Sequence, residues 1–194
     1  MKKLALLVLL FVVASGYSQQ LVFEMSAFGI RFGTMTVTKT KENDSTDLYT
    51  LNAKGYLKVL WMERNDQTLY EVRYRHGKLL SSAYKQIETG EVKKWTNVMF
   101  DGKKYVVDSY RGKRTFTEVP VHSIITLYFS NPKNIKRIFY EAESDFAEVK
   151  YPDENTVEIK SSDGNRSVYH FKNGTMDHME FYISIAIVNM KRIS

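Results

Sequence analysis

The sequence predicts a mainly all-β fold: a strongly curled antiparallel meander sheet, or an incomplete β-barrel, with one short helix where the chain crosses between two halves. Three observations carry this. Gly77, Gly90, Gly102 and Gly112 follow one another at intervals of 13, 12 and 10 residues, separated by β-rich stretches. Glycine supplies the positive φ that tight hairpin turns need, so this spacing predicts a meander. Several of the intervening stretches alternate apolar and polar residues, the period of a half-buried strand. After the N-terminal region, one stretch alone shifts to a period near 3.6: Val121, Ile124, Ile125 and Tyr128 fall on one helical face. Pro120 suits the first turn of that helix and Pro132 stops it soon after Ser130, which places it over Val121 to Phe129. Strands totalling ten or so in a domain of this size are expected to curl rather than stay flat.

The chain has 194 residues, of which 43% are hydrophobic, enough for one domain with an ordinary core. Residues 1–18 read as a signal peptide and 19–194 as a single β-rich domain. Lys2 and Lys3 form a positive n-region, Leu4 to Ala14 an apolar h-region, and Ser15-Gly16-Tyr17-Ser18 a small-residue exit that would leave Gln19 first in the mature chain. An apolar run this short does not cross a bilayer core of about 30 Å, so no transmembrane span is expected in the mature chain. The predicted location is periplasmic or secreted. Cysteine is absent, which removes disulfides, thiol catalysis and cysteine-ligated zinc. The net charge is +6, and removal of Lys2 and Lys3 leaves +4 with both signs interspersed. No basic stripe marks a nucleic-acid partner.

In chain order, Leu21 to Ile30 and Arg31 to Thr40 read as two strands, with Met35 and Val37 alternating against threonines. Gly29 and Gly33 lie where one passes into the other and permit a bend or bulge. Lys41 to Asp47 is a polar turn, and Leu48 to Val59 resumes the β pattern with Tyr49, Leu51 and Ala53 on one side. Thr68, Tyr70, Val72 and Tyr74 share a face in the next strand. Beyond the helix, Asp163-Gly164 and Asn173-Gly174 restore the turn rhythm. His178 to Met190 reads as one final strand, apolar on both faces and therefore central in the sheet.

Motifs for chemistry are sparse. His76, His122, His170 and His178 show neither i, i+2 nor i, i+4 spacing, so no metal site is predicted. No GxSxG elbow presents a serine, and no glycine pattern cradles phosphate, so no cofactor is expected. Glu141, Glu143 and Asp145 form an acidic run that reads as a solvated loop. Aromatic residues are 13% of the chain. Trp61, Trp95, Tyr105, Tyr110 and Tyr128 are the candidate ligand-binding residues: on one face of a sheet they would line an apolar pocket with polar tips, and elsewhere they would be core.

Leu127-Tyr128-Phe129, Pro132, Ile138-Phe139, Glu141, Phe146, the Asn173-Gly174 turn and the apolar last stretch, with Gly29 and Gly33 early on, resemble domain-of-unknown-function family 6134. This is a family of exported proteins found mainly in Bacteroidetes, and the resemblance implies an exported β-rich domain without an assigned activity. The leading expectation is a non-enzymatic envelope protein that binds a lipid or other apolar ligand. One alternative is an interaction or assembly module with an envelope-protein partner. The other is a hydrolase with a carboxylate site that no motif reveals.

Overall fold

The computed structural model describes residues 17–59, 62–183 and 186–194. The expected signal peptide lies almost wholly outside them. The first half of the fold is a meander of β1 (Ser18–Ala27), β2 (Ile30–Asn43), β3 (Thr46–Val59), β4 (Met62–Arg75), β5 (Lys78–Glu88), β6 (Glu91–Phe100), β7 (Tyr105–Ser109) and β8 (Gly112–Phe116). A crossing segment, 117–136, contains α1 (Ile124–Leu127). The second half is β9 (Arg137–Tyr140), β10 (Asp145–Asp153), β11 (Thr156–Lys160), β12 (Arg166–Lys172), β13 (Thr175–Ile183) and β14 (Ala186–Arg192). Every strand pairs antiparallel with its sequence neighbour except across the crossing, and β1 pairs with β14 to join the halves.

The meander follows from turn chemistry. Phe28-Gly29, His76-Gly77, Thr89-Gly90 and Asn173-Gly174 are two-residue turns with positive φ at both positions, the backbone that the right-handed twist of hairpin strands requires. Alternation then sorts the side chains. Leu21, Phe23 and Met25 of β1, Met35 and Val37 of β2, and Val72 and Tyr74 of β4 are buried on one face, against which the crossing segment packs.

The expectation of a strongly curled sheet or incomplete barrel is corrected. The described strands form one open fourteen-stranded sheet with β8 and β9 as its edges. No ladder joins those edges, because the crossing segment occupies the backbone of β9: Phe139 N–H donates to His122 O at 3.1 Å, and Ser123 makes an isolated parallel bridge with Phe139. Side chains bridge the gap instead. Phe116 of β8 packs on Phe139 and Phe146 at ring-centroid distances of 5.7 and 6.1 Å, and Arg114 donates to Ser144 O at 2.6 Å.

Three local expectations also change. The helix is four residues long rather than spanning Val121 to Phe129, and all four are buried. His122 and Ser123 are drawn into pairing with β9, Val121 is exposed, and Tyr128 O is taken by Met176 N–H at 3.3 Å. The stretch His178 to Met190 is two strands, parts of β13 and β14, so Ile187 faces outward while Val188 and Met190 face in. The acidic run is not a solvated loop throughout, since Glu141 is fully buried.

Gly33 shows how closely β2 and β3 approach. A Cβ there would stand 2.2 Å from Lys54 O and 2.9 Å from Gly55 Cα, both backbone atoms that cannot yield cheaply. Gly33→Ala is expected to destabilise the protein by about 1–3 kcal/mol in urea unfolding, the range for overpacking. Unchanged stability would show that the two strands separate freely at this point.

Candidate functional site

The buried face of the sheet is not filled everywhere. Between the two halves lies a cavity of about 800 Å³, walled by apolar side chains from β1 to β3, β13 and β14, and closed on one side by Ile124 and Ile125 of α1 with Tyr128 just beyond it. Its wall exists because alternation puts Met25, Met35, Leu51, Ala53, Met179, Phe181, Val188 and Met190 on the same face as the core while the crossing segment is too short to cover them all. Polar groups collect toward β4 to β6 and the connecting turns: Asp66, Gln86, Lys94, Arg111, Glu143 and Asp163. Arg111 is already engaged, donating to Asp163 at 2.7 Å and to Tyr110 Oη at 2.8 Å.

Besides the exposed Tyr110, five tyrosines, Tyr70, Tyr84, Tyr128, Tyr140 and Tyr169, share this wall. Burial pushes the phenols of Tyr70, Tyr140 and Tyr169 well above their ordinary range, and raises those of Tyr84 and Tyr128 as well. All five stay neutral at any physiological pH and offer hydroxyl tips in an otherwise apolar wall. Tyr70 and Tyr84 pack at a centroid distance of 5.0 Å, and the Tyr84 hydroxyl donates to Gln86 at 3.2 Å.

The structure distributes the five candidate residues unevenly. Tyr128 and Tyr110 line the cavity, Tyr128 with its ring 5.7 Å from Phe23 and Tyr110 exposed beside Arg111. Tyr105 is core: it is 1% exposed, stacks on Phe116 at 4.9 Å and donates its hydroxyl to Leu79 O at 2.9 Å. Trp95 lies on the other face of β6 from the buried Thr96 and Val98. Trp61 is outside the described residues. Tyr70, Tyr84, Tyr140 and Tyr169 were not among the candidates. Tyr70 was visible through its alternation with Val72 and Tyr74, whereas nothing in the local pattern of Tyr140 or Tyr169 shows which face they take.

Beneath the cavity wall, Glu141 holds the crossing segment in place. Its Oε1 accepts the Ile125 N–H at 3.3 Å, at the start of α1, so the carboxylate satisfies a helix-end amide. Ser123 closes the same turn by donating its N–H to Thr126 Oγ1 at 3.1 Å. Burial pushes Glu141 up to about 7, against the pull of Ser123 and the backbone amides toward the ionised form. Glu141 Oε2, Ser123 Oγ and Tyr74 Oη are all buried without a well-formed hydrogen bond, which accords with a carboxyl group that readily keeps its proton.

Residues 23–192 match the family described as Domain of unknown function (DUF6134). The chain belongs to that family. No curated protein matches this DUF6134 chain. A solved structure, "Crystal Structure of Beta-barrel-like Protein of Domain of Unknown Function DUF1849 from Brucella abortus", is similar to it in fold, with 13% identity and a TM-score of 0.54 over 90% of this chain and 95% of that one. Among the described residues of the DUF6134 chain, no helix is long and apolar enough to cross a membrane.

The raised Glu141 has a signed consequence for stability. The folded protein keeps a proton up to about pH 7 that the unfolded chain releases near 4.5. Stability from this group is therefore full below pH 4.5, falls as pH rises to 7 and stays reduced above it, by about 3 kcal/mol. Glu141→Gln keeps an oxygen for Ile125 N–H but carries no titrating proton. Relative to wild type, it is expected to gain stability between pH 5 and pH 8 in urea unfolding, and parallel curves for the two proteins would refute the assignment.

Proposed function

We propose that this DUF6134 protein is an exported, non-enzymatic carrier that takes a lipid acyl chain or similar apolar small molecule into the cavity beneath α1. The cavity itself carries the reading. Its volume of about 800 Å³ lies within the span of small-molecule sites, about 300–1,000 Å³. A wall of aliphatic, methionine and tyrosine side chains with polar groups confined to one region suits an amphipathic guest, with the tail among the methionines and the head toward Lys94 and Arg111. Export is supported by the charged and apolar pattern of the N-terminal residues.

Native mass spectrometry of protein purified without detergent from its own envelope is expected to show an added mass that disappears on denaturation. Ala53→Trp, which places an indole into the cavity, is expected to remove that mass while leaving the fold intact by circular dichroism. A bare mass for wild type, together with no uptake of a fluorescent fatty acid, would defeat the carrier reading in favour of an interaction module.

The entrance is also identifiable. Phe28 and Ile30 line the cavity yet are 78% and 63% exposed, and Ile183 beside them is partly exposed. They sit at adjacent hairpin ends, because Ala27 of β1 pairs with Val188 of β14. Phe28 occupies a positive-φ turn position, where a large apolar side chain gains no burial. The pair Phe28→Ser and Ile30→Ser is expected to slow uptake of fatty acid from vesicles several-fold while leaving the amount bound at equilibrium nearly unchanged. Equal rates would place the entrance elsewhere.

A further inference from the structure

The face of the sheet opposite the cavity brings together residues that the sequence keeps apart. His170 of β12 and His178 of β13 are direct cross-strand partners, and their rings stack at 4.0 Å with an interplanar angle of 10°. Glu180 follows His178 by two residues on the same face. One donor atom from each of His170, His178 and Glu180 lies within 4.8 Å of the other two.

The surroundings of each donor match those of metal ligands. His170 Nδ1 is 3.4 Å from Thr156 Oγ1, whereas its Nε2 is buried without any hydrogen-bond partner. His178 Nδ1 is 3.5 Å from Asp177 Oδ2, which favours the tautomer that leaves Nε2 with a free lone pair. Tyr182 donates its hydroxyl to Glu180 Oε2, leaving Oε1 available. A bulge makes this possible. The register runs from His170↔His178 to Phe171↔Met176, so Asp177 is the extra residue and can stand beside His178. Asp153, Asp177 and Glu180 lie near His170 and supply negative potential for a cation, while Lys191, paired with His178 from β14, is exposed.

We propose that His170, His178 and Glu180 form a binding site for a divalent transition-metal ion of the zinc type, open to water at its fourth position. Two imidazoles and one carboxylate select such an ion over magnesium or calcium, which prefer all-oxygen sites. A tetrahedral ion holds its donors about 3.3 Å apart, so the stacked rings turn modestly toward each other on binding. The ion would tie β12 to β13 on the face away from the ligand cavity, and the site stands independently of the carrier reading.

The test uses tag-free, chelator-treated protein, with isothermal calorimetry and thermal unfolding in the presence of Zn²⁺, Mg²⁺ or Ca²⁺. One Zn²⁺ is expected to bind per chain and raise Tm, with no response to Mg²⁺ or Ca²⁺. His178→Ala is expected to weaken Zn²⁺ binding more than about tenfold, and Thr156→Val to weaken it about tenfold through the loss of its contact with His170. The Tm of each variant without metal controls for folding. Absence of Zn²⁺ binding by the wild type, or retention of full affinity by the His170→Ala/His178→Ala double variant, would overturn the proposal.

Discussion

The arrangement of this protein depends on the carboxyl group of Glu141, buried against the first turn of α1. A four-residue helix has almost no stability of its own, since its end amides and carbonyls outnumber its internal hydrogen bonds. It persists here because Glu141 and Ser123 satisfy its first amides, and because the flanking chain is tied to the sheet. Leu79 N–H donates to Pro120 O at 3.0 Å, Phe139 N–H to His122 O at 3.1 Å and Met176 N–H to Tyr128 O at 3.3 Å. These three bonds connect the crossing segment to β5, β9 and β13. The energetic cost of burying a carboxyl group is met partly by keeping it protonated, so the joint is strongest in its neutral form.

This joint also explains why the sheet is open and why it contains a cavity. The crossing segment takes the edge of β9, so β8 cannot pair there, and the edges meet through Phe116, Phe139, Phe146 and Arg114 instead. The segment is short and compact, and it covers only the middle of a broad apolar face. What it leaves uncovered between β1 to β3 and β13 to β14 is the cavity wall. Methionines and tyrosines suit that wall, since the former adapt in shape and the latter carry a neutral polar tip.

The two faces of β12 and β13 show how one alternation can serve two chemistries. Ser167, Tyr169, Met179 and Phe181 look into the cavity, while His170, His178 and Glu180 look the other way. A single bulge residue, Asp177, brings a carboxylate next to His178 without disturbing the inward placement of Met176 and Met179. The faces are separated by the thickness of one sheet.

The antiparallel meander was legible from the sequence because its causes are local. A two-residue turn needs positive φ, which Gly29, Gly77, Gly90 and Gly174 provide within their own short stretches, and alternation already tells which residues of β4 face inward. The likeness to DUF6134 rested on turn and apolar residues of the same local kind. Features that depend on distant partners were not legible. The helix lost its expected first turn because His122 and Ser123 found β9 as a partner, and Glu141 looked like a solvated loop residue until Ile125 and Ser123 were seen above it. Tyr70, Tyr84, Tyr140 and Tyr169 meet across separate strands, and His170 and His178 face each other through a register that a hairpin bulge sets. Periodicity reports which residues share a face of one element. Which elements then face each other is decided by packing and backbone pairing between segments far apart in the chain, and both the cavity and the histidine cluster arise there.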